Sequence, residues 1–291
     1  MNYVIIGLLA LPLIGAYALF GLGIVVIYQA SRVLNLAHGA MVIVPAYATY
    51  SLAAIHLPVP IAVIGGVLSG GLLGLFVERV FVRTLRNQSV TTQTVGTIAA
   101  FGLILALISR VYGTTPLLMP AIFPAGLLHL GHSGIKYGAI GLFLTMLVLA
   151  AVMFALFRFT ALGLAMRGAA ENPRAAILMG INPLRTTQIA WALGGTLAGV
   201  AGILLASITS LEPFNLSLQA LPAFVAVLIG GLDSLGGAVI GAVVVGAVVG
   251  ILPGLPALGN VQGMSQLVLV AVAFVVMARR GQRLTMGDMR A

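Results

Sequence analysis

Long apolar runs separated by short charged segments dominate this chain. Uncharged stretches extend over 1–31, 33–77, 87–109, 137–157, 186–211, 213–232 and 234–278. A charge at the centre of a bilayer is costly, so an uncharged apolar stretch of about 20 residues indicates a membrane-spanning helix. These stretches are continuously apolar and lack the alternation of a membrane β-barrel strand, so we predict helices.

Two of these runs, 33–77 and 234–278, are too long for one crossing and have a proline-rich break near the middle. Residues 56–60 read His-Leu-Pro-Val-Pro, and residues 253–260 contain two prolines and two glycines. Because proline lacks a backbone donor and ends helices, each run divides into two spans. We therefore predict about nine spans, with eight to ten as the range: 4–28, 33–55, 59–82, 92–111, 137–158, 186–209, 216–232, 236–252 and 263–278.

Composition assigns the chain to the membrane proteins. Hydrophobic residues make up 61% of the 291 residues, charged residues 7%, and mean hydropathy is +1.18. A soluble domain carries roughly 25% charged residues, so this chain could not cover a water-exposed surface. The predicted fold class is an all-α polytopic membrane protein, a single transmembrane domain over residues 1–291. A flexible basic tail is expected over about 279–291.

The positive charges predict the orientation of the spans. Segments 79–86, 158–185 and 279–290 hold eleven of the 14 Lys and Arg residues, and nine spans place all three on one side. The opposite side holds Arg110 and Lys136. Since cytoplasmic loops are enriched in Lys and Arg, we predict an outside N-terminus and a cytoplasmic C-terminus. The net charge of +9 is explained by these loops, and no nucleic-acid partner is expected.

Polar residues near the start of the second predicted span form the first informative stretch. It reads Arg32-Val33-Leu34-Asn35-Leu36-Ala37-His38-Gly39. Three residues apart, Asn35 and His38 would share one helical face, and Gly39 allows a bend. One interpretation is a broken helix beside a transport path, because irregular backbone at membrane depth must be buried or line a cavity. The other is a cytoplasmic turn that caps two helix ends. The side of Arg32 is left open.

A capped short helix is predicted in the loop over about 159–185. Asn172 and Pro173 form an N-cap and a first-turn proline, Gly180 suits the position after a helix end, and Asn182 with the next proline starts the following span. A helix from Pro173 to Met179 could dock on a soluble partner, or it could lie on lipid headgroups. The candidate residues are Arg167, Glu171, Asn172, Pro173, Arg174, Ile177, Leu178, Met179, Gly180 and Asn182.

Two further stretches are interpreted as structural in the first place. Gly230 and Gly231 permit a sharp turn, and Asp233 and Ser234 are candidates to cap the next helix. A proton-relay role would require Asp233 to be buried in the bundle. Residues 78–86 are foremost a basic anchor at the cytoplasmic boundary.

Motifs for catalysis are missing from the sequence. It has no Walker A sequence, no HExxH and no cysteine, so we expect no enzyme activity, no metal site and no cofactor bound by this chain.

At these motifs the chain resembles the membrane permease subunits of branched-chain amino acid ABC transporters, the LivH type. The family's N-F-A-H-G element is similar to residues 35–39, and its E-R-x-x-x-R-P-x-R element to residues 78–86, with Thr84 in place of Pro. Its cytoplasmic loop is similar to residues 170–182. Its G-G-L-G-S-x-P-G-A element is similar to residues 230–238, with Asp233 in place of the third Gly and Gly236 in place of Pro.

The resemblance implies partners and a mechanism. A second permease (LivM-like or a copy of this chain), two cytoplasmic ATPase subunits that use ATP and Mg²⁺, and a periplasmic binding protein would complete an importer in the bacterial inner membrane. The loop around Arg167–Asn182 would dock the ATPase. Candidates for the translocation path are Asn35, His38, Gly39, Thr94 and Thr97.

Three alternatives stay open at this point. They are an ion-coupled secondary transporter, an ABC permease for another small solute such as urea, amides or sugars, and an intramembrane enzyme. The first would need an ionisable residue at mid-membrane, yet all five acids fall near predicted span ends.

Overall fold

The computed structural model describes residues 3–124, 126–130, 133–254, 261 and 263–288. Helices dominate this part of the chain, and one short antiparallel hairpin interrupts them. The elements are α1 (Tyr3–Ser31), α2 (His38–Ala54), α3 (Val59–Val77), α4 (Val90–Tyr112), β1 (Leu127–Leu130), β2 (Ser133–Lys136), α5 (Tyr137–Phe159), α6 (Ala161–Glu171), α7 (Pro173–Leu178), α8 (Pro183–Ala206), α9 (Pro213–Leu218), α10 (Ala220–Gly230), α11 (Leu235–Ile251) and α12 (Met264–Asp288).

Seven of the described helical segments are long and apolar enough to cross a membrane. This confirms the all-α polytopic fold class. The two remaining predicted spans correspond to helices whose apolar part is shorter. In the predicted span 33–55, the helix begins only at His38, so α2 has 17 residues. In the last span, the apolar part of α12 covers Met264–Val276. The predicted break within 253–260 lies partly outside the described residues.

Two features of the polar loops and ends are absent from the sequence prediction. The loop between α4 and α5 contains the hairpin β1–β2, in which Leu127 pairs with Lys136 and Leu130 with Ser133. The stretch predicted as a basic tail from about residue 279 is helical as far as Asp288, the end of α12. No proline interrupts that stretch, so nothing in it prevents the helix from continuing.

Helices α1 and α8 form the centre of the bundle. Within their most apolar windows, 83% of α1 and 72% of α8 are buried, against 28% or less for α3, α4 and α5. The central α1 packs against α5, α8, α10 and α11, whereas α8 also packs against α2 and α3. The peripheral helices consequently present apolar side chains to lipid or to a partner, as expected for a bundle with a lipid solvent.

Close backbone contact between α3 and α8 depends on glycine. A Cβ placed on Gly70 would lie 2.6 Å from the Gly195 carbonyl oxygen, and one on Gly74 would overlap the Trp191 carbonyl. Because glycine has no side chain, the two helices touch through their backbones. In lipid, where the hydrophobic effect does not drive helices together, such close contact provides the dispersion attraction between them.

Candidate functional site

The loop between α5 and α8 folds as predicted into a short capped helix. The Asn172 side chain accepts a hydrogen bond from the Ala175 amide at 3.0 Å, and Pro173 occupies the first turn. Gly180 has φ +78, the left-handed conformation that follows many helix ends. Asn182 accepts from the amide of Leu184 at 3.0 Å and so starts α8. The helix ends at Leu178 rather than Met179, which is its C-cap residue.

Three consecutive apolar side chains project from the end of α7. Ile177 is 60% exposed, Leu178 89% and Met179 69%, while Ala176 on the opposite side is fully buried. We name Ile177–Met179 the apolar tip. It is held from both sides, because α7 packs on α6 and α8, and Arg167 donates to the Phe157 carbonyl at the end of α5.

The remaining polar loop candidates, Glu171 and Arg174, are exposed at the junction of α6 and α7. A capped loop helix with an exposed apolar tip has the form expected for a docking element. Its role as a docking site stays a prediction.

Three basic stretches that lie far apart in sequence contribute to the lining of one cavity of about 530 Å³. Its lining includes Arg32, Arg83 and Arg86, together with Pro173 and Ile177 from α7. These residues therefore share one face of the molecule, which we call the arginine-rich face. The common side predicted for segments 79–86 and 158–185 agrees with this arrangement, and Arg32 joins them there.

A buried ion pair organises the 78–86 segment. After α3 the chain makes a π-helical turn over Glu78–Val82 and a 3₁₀ turn over Arg83–Leu85. The Arg83 guanidinium donates to both carboxylate oxygens of Glu78, from Nη2 at 2.7 Å and from Nε at 3.2 Å. Thr84 donates to the Val80 carbonyl at 2.6 Å, so the helical path continues where the family has proline. The pair fixes Arg83 at the cavity wall.

The glycine-rich turn between α10 and α11 is tied to the end of α1. Arg32 forms an ion pair with Asp233, and Gln29 Nε2 donates to the Asp233 carbonyl at 2.7 Å. The predicted capping role of Asp233 is therefore wrong: Ser234 alone caps α11, accepting from the Gly237 amide at 2.9 Å. Asp233 is exposed instead of buried in the bundle, because its carboxylate reaches outward to Arg32.

The two glycines of this turn have separate uses. Gly231 adopts φ +103, which favours glycine. A Cβ on Gly230 would overlap the Gly237 backbone, so α10 and α11 meet at this point.

A buried non-helical segment, residues 32–37, separates α1 from α2. Asn35 is 1% exposed and lies in this segment, so the expectation that it shares a helical face with His38 is wrong. Its side chain instead accepts from the Ala37 amide at 3.0 Å. Thr97 Oγ1 accepts from the Leu36 amide at 3.0 Å and donates to the Thr94 carbonyl at 2.6 Å. The segment is thus held inside the protein, as the broken-helix interpretation requires.

A second cavity, of about 390 Å³, lies between this segment, α4 and the α9–α10 pair. Its lining is almost wholly apolar and includes Leu36, Gly39, Phe101, Ser217 and Phe224. We call it the apolar cavity. Among the predicted path residues Gly39 lines it, whereas Asn35, Thr94 and Thr97 hold the segment behind it. His38 is fully buried against Gly23 of α1 and the edge of Phe20.

The structure has a second helix interruption at this cavity, which was not predicted from the sequence. The span predicted over 216–232 consists of α9 and α10, which meet at Gln219. Tyr17 of α1 donates to the Gln219 side chain at 3.0 Å. A Cβ on Gly39 would lie 2.8 Å from the Ser217 carbonyl, so the start of α2 touches the end of α9. The non-helical segment 32–37 and the one-residue interruption at Gln219, whose φ and ψ stay helical, therefore lie beside one cavity. Unwound segments such as 32–37 are found at transporter binding sites.

Comparison with known proteins identifies relatives. Residues 6–277 match the family described as branched-chain amino acid transport system / permease component. The high-affinity branched-chain amino acid transport system permease protein LivH of Escherichia coli (strain K12) is 28% identical over 253 residues, 79% of each chain. A probable branched-chain amino acid transport permease protein LivH of Methanocaldococcus jannaschii is 30% identical over 243 residues, 78% of this chain and 74% of the relative.

A third relative is BraD of Pseudomonas aeruginosa, a high-affinity branched-chain amino acid transport system permease protein, 27% identical over 250 residues, 79% of this chain and 80% of BraD. No solved structure matches the chain with significant similarity. The family match covers nearly the whole sequence, and seven apolar helices agree with a multi-pass membrane protein. This chain belongs to the family of permease components of branched-chain amino acid transport systems.

Proposed function

We propose that this chain is the membrane-spanning subunit of an ATP-driven importer for branched-chain or related amino acids in the bacterial inner membrane. The observation that carries the proposal is the apolar tip, which consists of three exposed side chains at the end of a capped short helix beside a basic cavity. In this proposal the arginine-rich face is cytoplasmic, by the excess of Lys and Arg. The N-terminus is then outside, and the C-terminus is cytoplasmic.

The apolar tip would dock into a groove on a separate ATPase subunit, which binds ATP and Mg²⁺. A displacement of α7 reaches the core by a short route. Pro183 follows the tip within four residues and begins α8, one of the two most buried helices. On the other side α6 packs against α1 and α5. A movement imposed at the tip would therefore tilt helices that line the centre of the bundle, which is the requirement for alternating access.

The apolar cavity is the proposed site of passage. Its aliphatic and aromatic lining suits an aliphatic amino-acid side chain, and Gly39 leaves room for the substrate beside the broken helices. Helix α4, which forms one wall, exposes Val95, Leu107 and Val111. A second permease subunit, LivM-like or identical to this one, would cover that face. Substrate would arrive from a periplasmic binding protein, and selectivity would reside mostly in that protein.

Ion-coupled transport receives less support from the positions of the acids. Glu78 ends α3 and is paired with Arg83, Glu171 ends α6, and Asp233 lies in an exposed turn. Glu212 precedes α9, and its carboxylate accepts from the Asn215 side chain. In the described part of the chain, none of these carboxylates lies unpaired at mid-membrane, where an ion-coupling acid would be needed.

The docking claim is tested with one charged substitution at the apolar tip and a matched control. Leu178→Glu places a carboxylate on the tip, whereas Leu118→Glu changes a leucine of similar exposure, 85%, in the loop after α4. We expect the first variant to lose ATPase binding and ATP-dependent uptake in reconstituted vesicles. The control should retain ATPase binding. Equal ATPase binding by both variants would refute the docking role of the tip.

A further inference from the structure

We propose that the cavity on the arginine-rich face is a second docking site, which receives an acidic segment of the same cytosolic ATPase subunit. This proposal rests on the proposed function, because it needs that subunit to approach the same face. The apolar tip would supply one contact, and the basic cavity would supply a charge-specific second one.

Several elements of the bundle contribute residues to the lining of the cavity. Its lining comes from the end of α1, the 78–86 segment, the start of α4, the loop helices α6 and α7, and the start of α8. The end of α1 contributes Ala30–Arg32, and α1 is the most buried of the spanning helices. The cavity therefore lies over the centre of the bundle. In the proposed orientation, the arginine-rich face on which the cavity lies is cytoplasmic.

The charges of the lining leave one guanidinium for a partner. Three arginines, Arg32, Arg83 and Arg86, face one glutamate, Glu78. Arg83 is paired with Glu78, and Arg32 with Asp233 of the neighbouring turn. Arg86 forms no ion pair with any of the described residues. A carboxylate entering the cavity could bind Arg86 in the bidentate geometry that guanidinium favours, with the other two arginines nearby.

The mixed lining of the cavity favours a protein segment over an inorganic anion. Val82, Ala169, Ile177 and Leu184 contribute apolar side chains to the same lining as the arginines. A lining that is partly apolar and partly basic suits a segment that carries an aliphatic or aromatic side chain between acidic ones. Ile177 belongs to both the cavity and the apolar tip, so the two surfaces are continuous and one partner can cover both.

The experiment measures binding of the purified ATPase subunit of this transporter to the full permease in lipid nanodiscs. Arg86→Glu reverses the charge at the cavity, and Arg79→Glu does the same on an exposed arginine of the same segment outside the lining. We expect Arg86→Glu to raise Kd by about tenfold or more. Arg79→Glu should change it by less than about twofold.

Two further measurements keep the outcomes distinct. Arg86→Gln, which removes charge without reversing it, should weaken binding by a smaller factor and reduce its dependence on salt. A photo-crosslinking residue introduced at Gln93, another lining position, should capture the ATPase subunit. Capture of phospholipid alone would identify the cavity as a headgroup site and overturn the proposal.

The tip variant separates this proposal from the function on which it rests. If Leu178→Glu abolishes ATPase binding while Arg86→Glu binds as the unmodified permease does, the second site is refuted and the docking role of the tip stands. If Leu178→Glu binds normally, the proposed coupling through the tip fails. Size-exclusion profiles of each variant would establish that a lost interaction does not come from misfolding.

Discussion

Removal of Arg83 should destabilise the permease strongly, because it isolates a buried carboxylate. The Glu78 side chain is 3% exposed and that of Arg83 22% exposed, and two hydrogen bonds join them. Breaking a buried ion pair by deleting one partner costs about 3–5 kcal/mol. Since water reaches part of Arg83, we expect a loss near the lower end, about 3 kcal/mol, for Arg83→Met.

The assay is equilibrium unfolding of the purified permease in mixed micelles, followed by circular dichroism. Arg79→Met, on an exposed arginine of the same turn, is the control and should change the free energy of unfolding by less than about 1 kcal/mol. Adding Glu78→Leu to Arg83→Met should recover most of the loss, because no unpaired charge then remains. Equal stability of Arg83→Met and Arg79→Met would refute the reasoning.

Three other substitutions follow from local geometry. Asp233→Asn removes the ion pair to Arg32, and both side chains are exposed, so the free energy of unfolding should fall by no more than about 1 kcal/mol in the same assay. Gly70→Val should reduce the folded yield and lower the free energy of unfolding by about 1–3 kcal/mol, because its Cβ meets the α8 backbone. Gly102→Val, with open space around it, should be tolerated. Asn172→Ala removes the cap of α7 at a cost of about 1 kcal/mol, and hydrogen exchange in that helix should accelerate by about fivefold. Unchanged exchange there would contradict the capping role.

The main helices could be predicted because the bilayer imposes a simple rule. A lipid solvent excludes charges, so the spacing of the 14 basic and five acidic residues marks the spans. The caps of α7 were equally accessible, since Asn172, Pro173 and Gly180 are local signals that act on adjacent backbone. Both predictions depend on residues close together in the chain.

Features set by distant partners escaped prediction. The Arg32–Asp233 pair joins residues 201 positions apart, and nothing local distinguishes Asp233 from a helix cap. The interruption at Gln219 has a local signal that the prediction did not use, because Pro222 in the first turn of α10 has no amide hydrogen to donate to the Leu218 carbonyl. Its position is supported from α1, where Tyr17 binds the Gln219 side chain. The apolar cavity formed by these breaks could therefore be recognised only in three dimensions.

The side of the membrane on which the apolar tip lies tests the central claim most directly. The chain contains no cysteine, so Leu178→Cys introduces a single thiol on a residue that is 89% exposed. We predict that a membrane-impermeant maleimide labels it in inverted vesicles but not in intact spheroplasts, and that bound ATPase subunit blocks the labelling. Labelling in intact spheroplasts would place the tip outside and contradict the account.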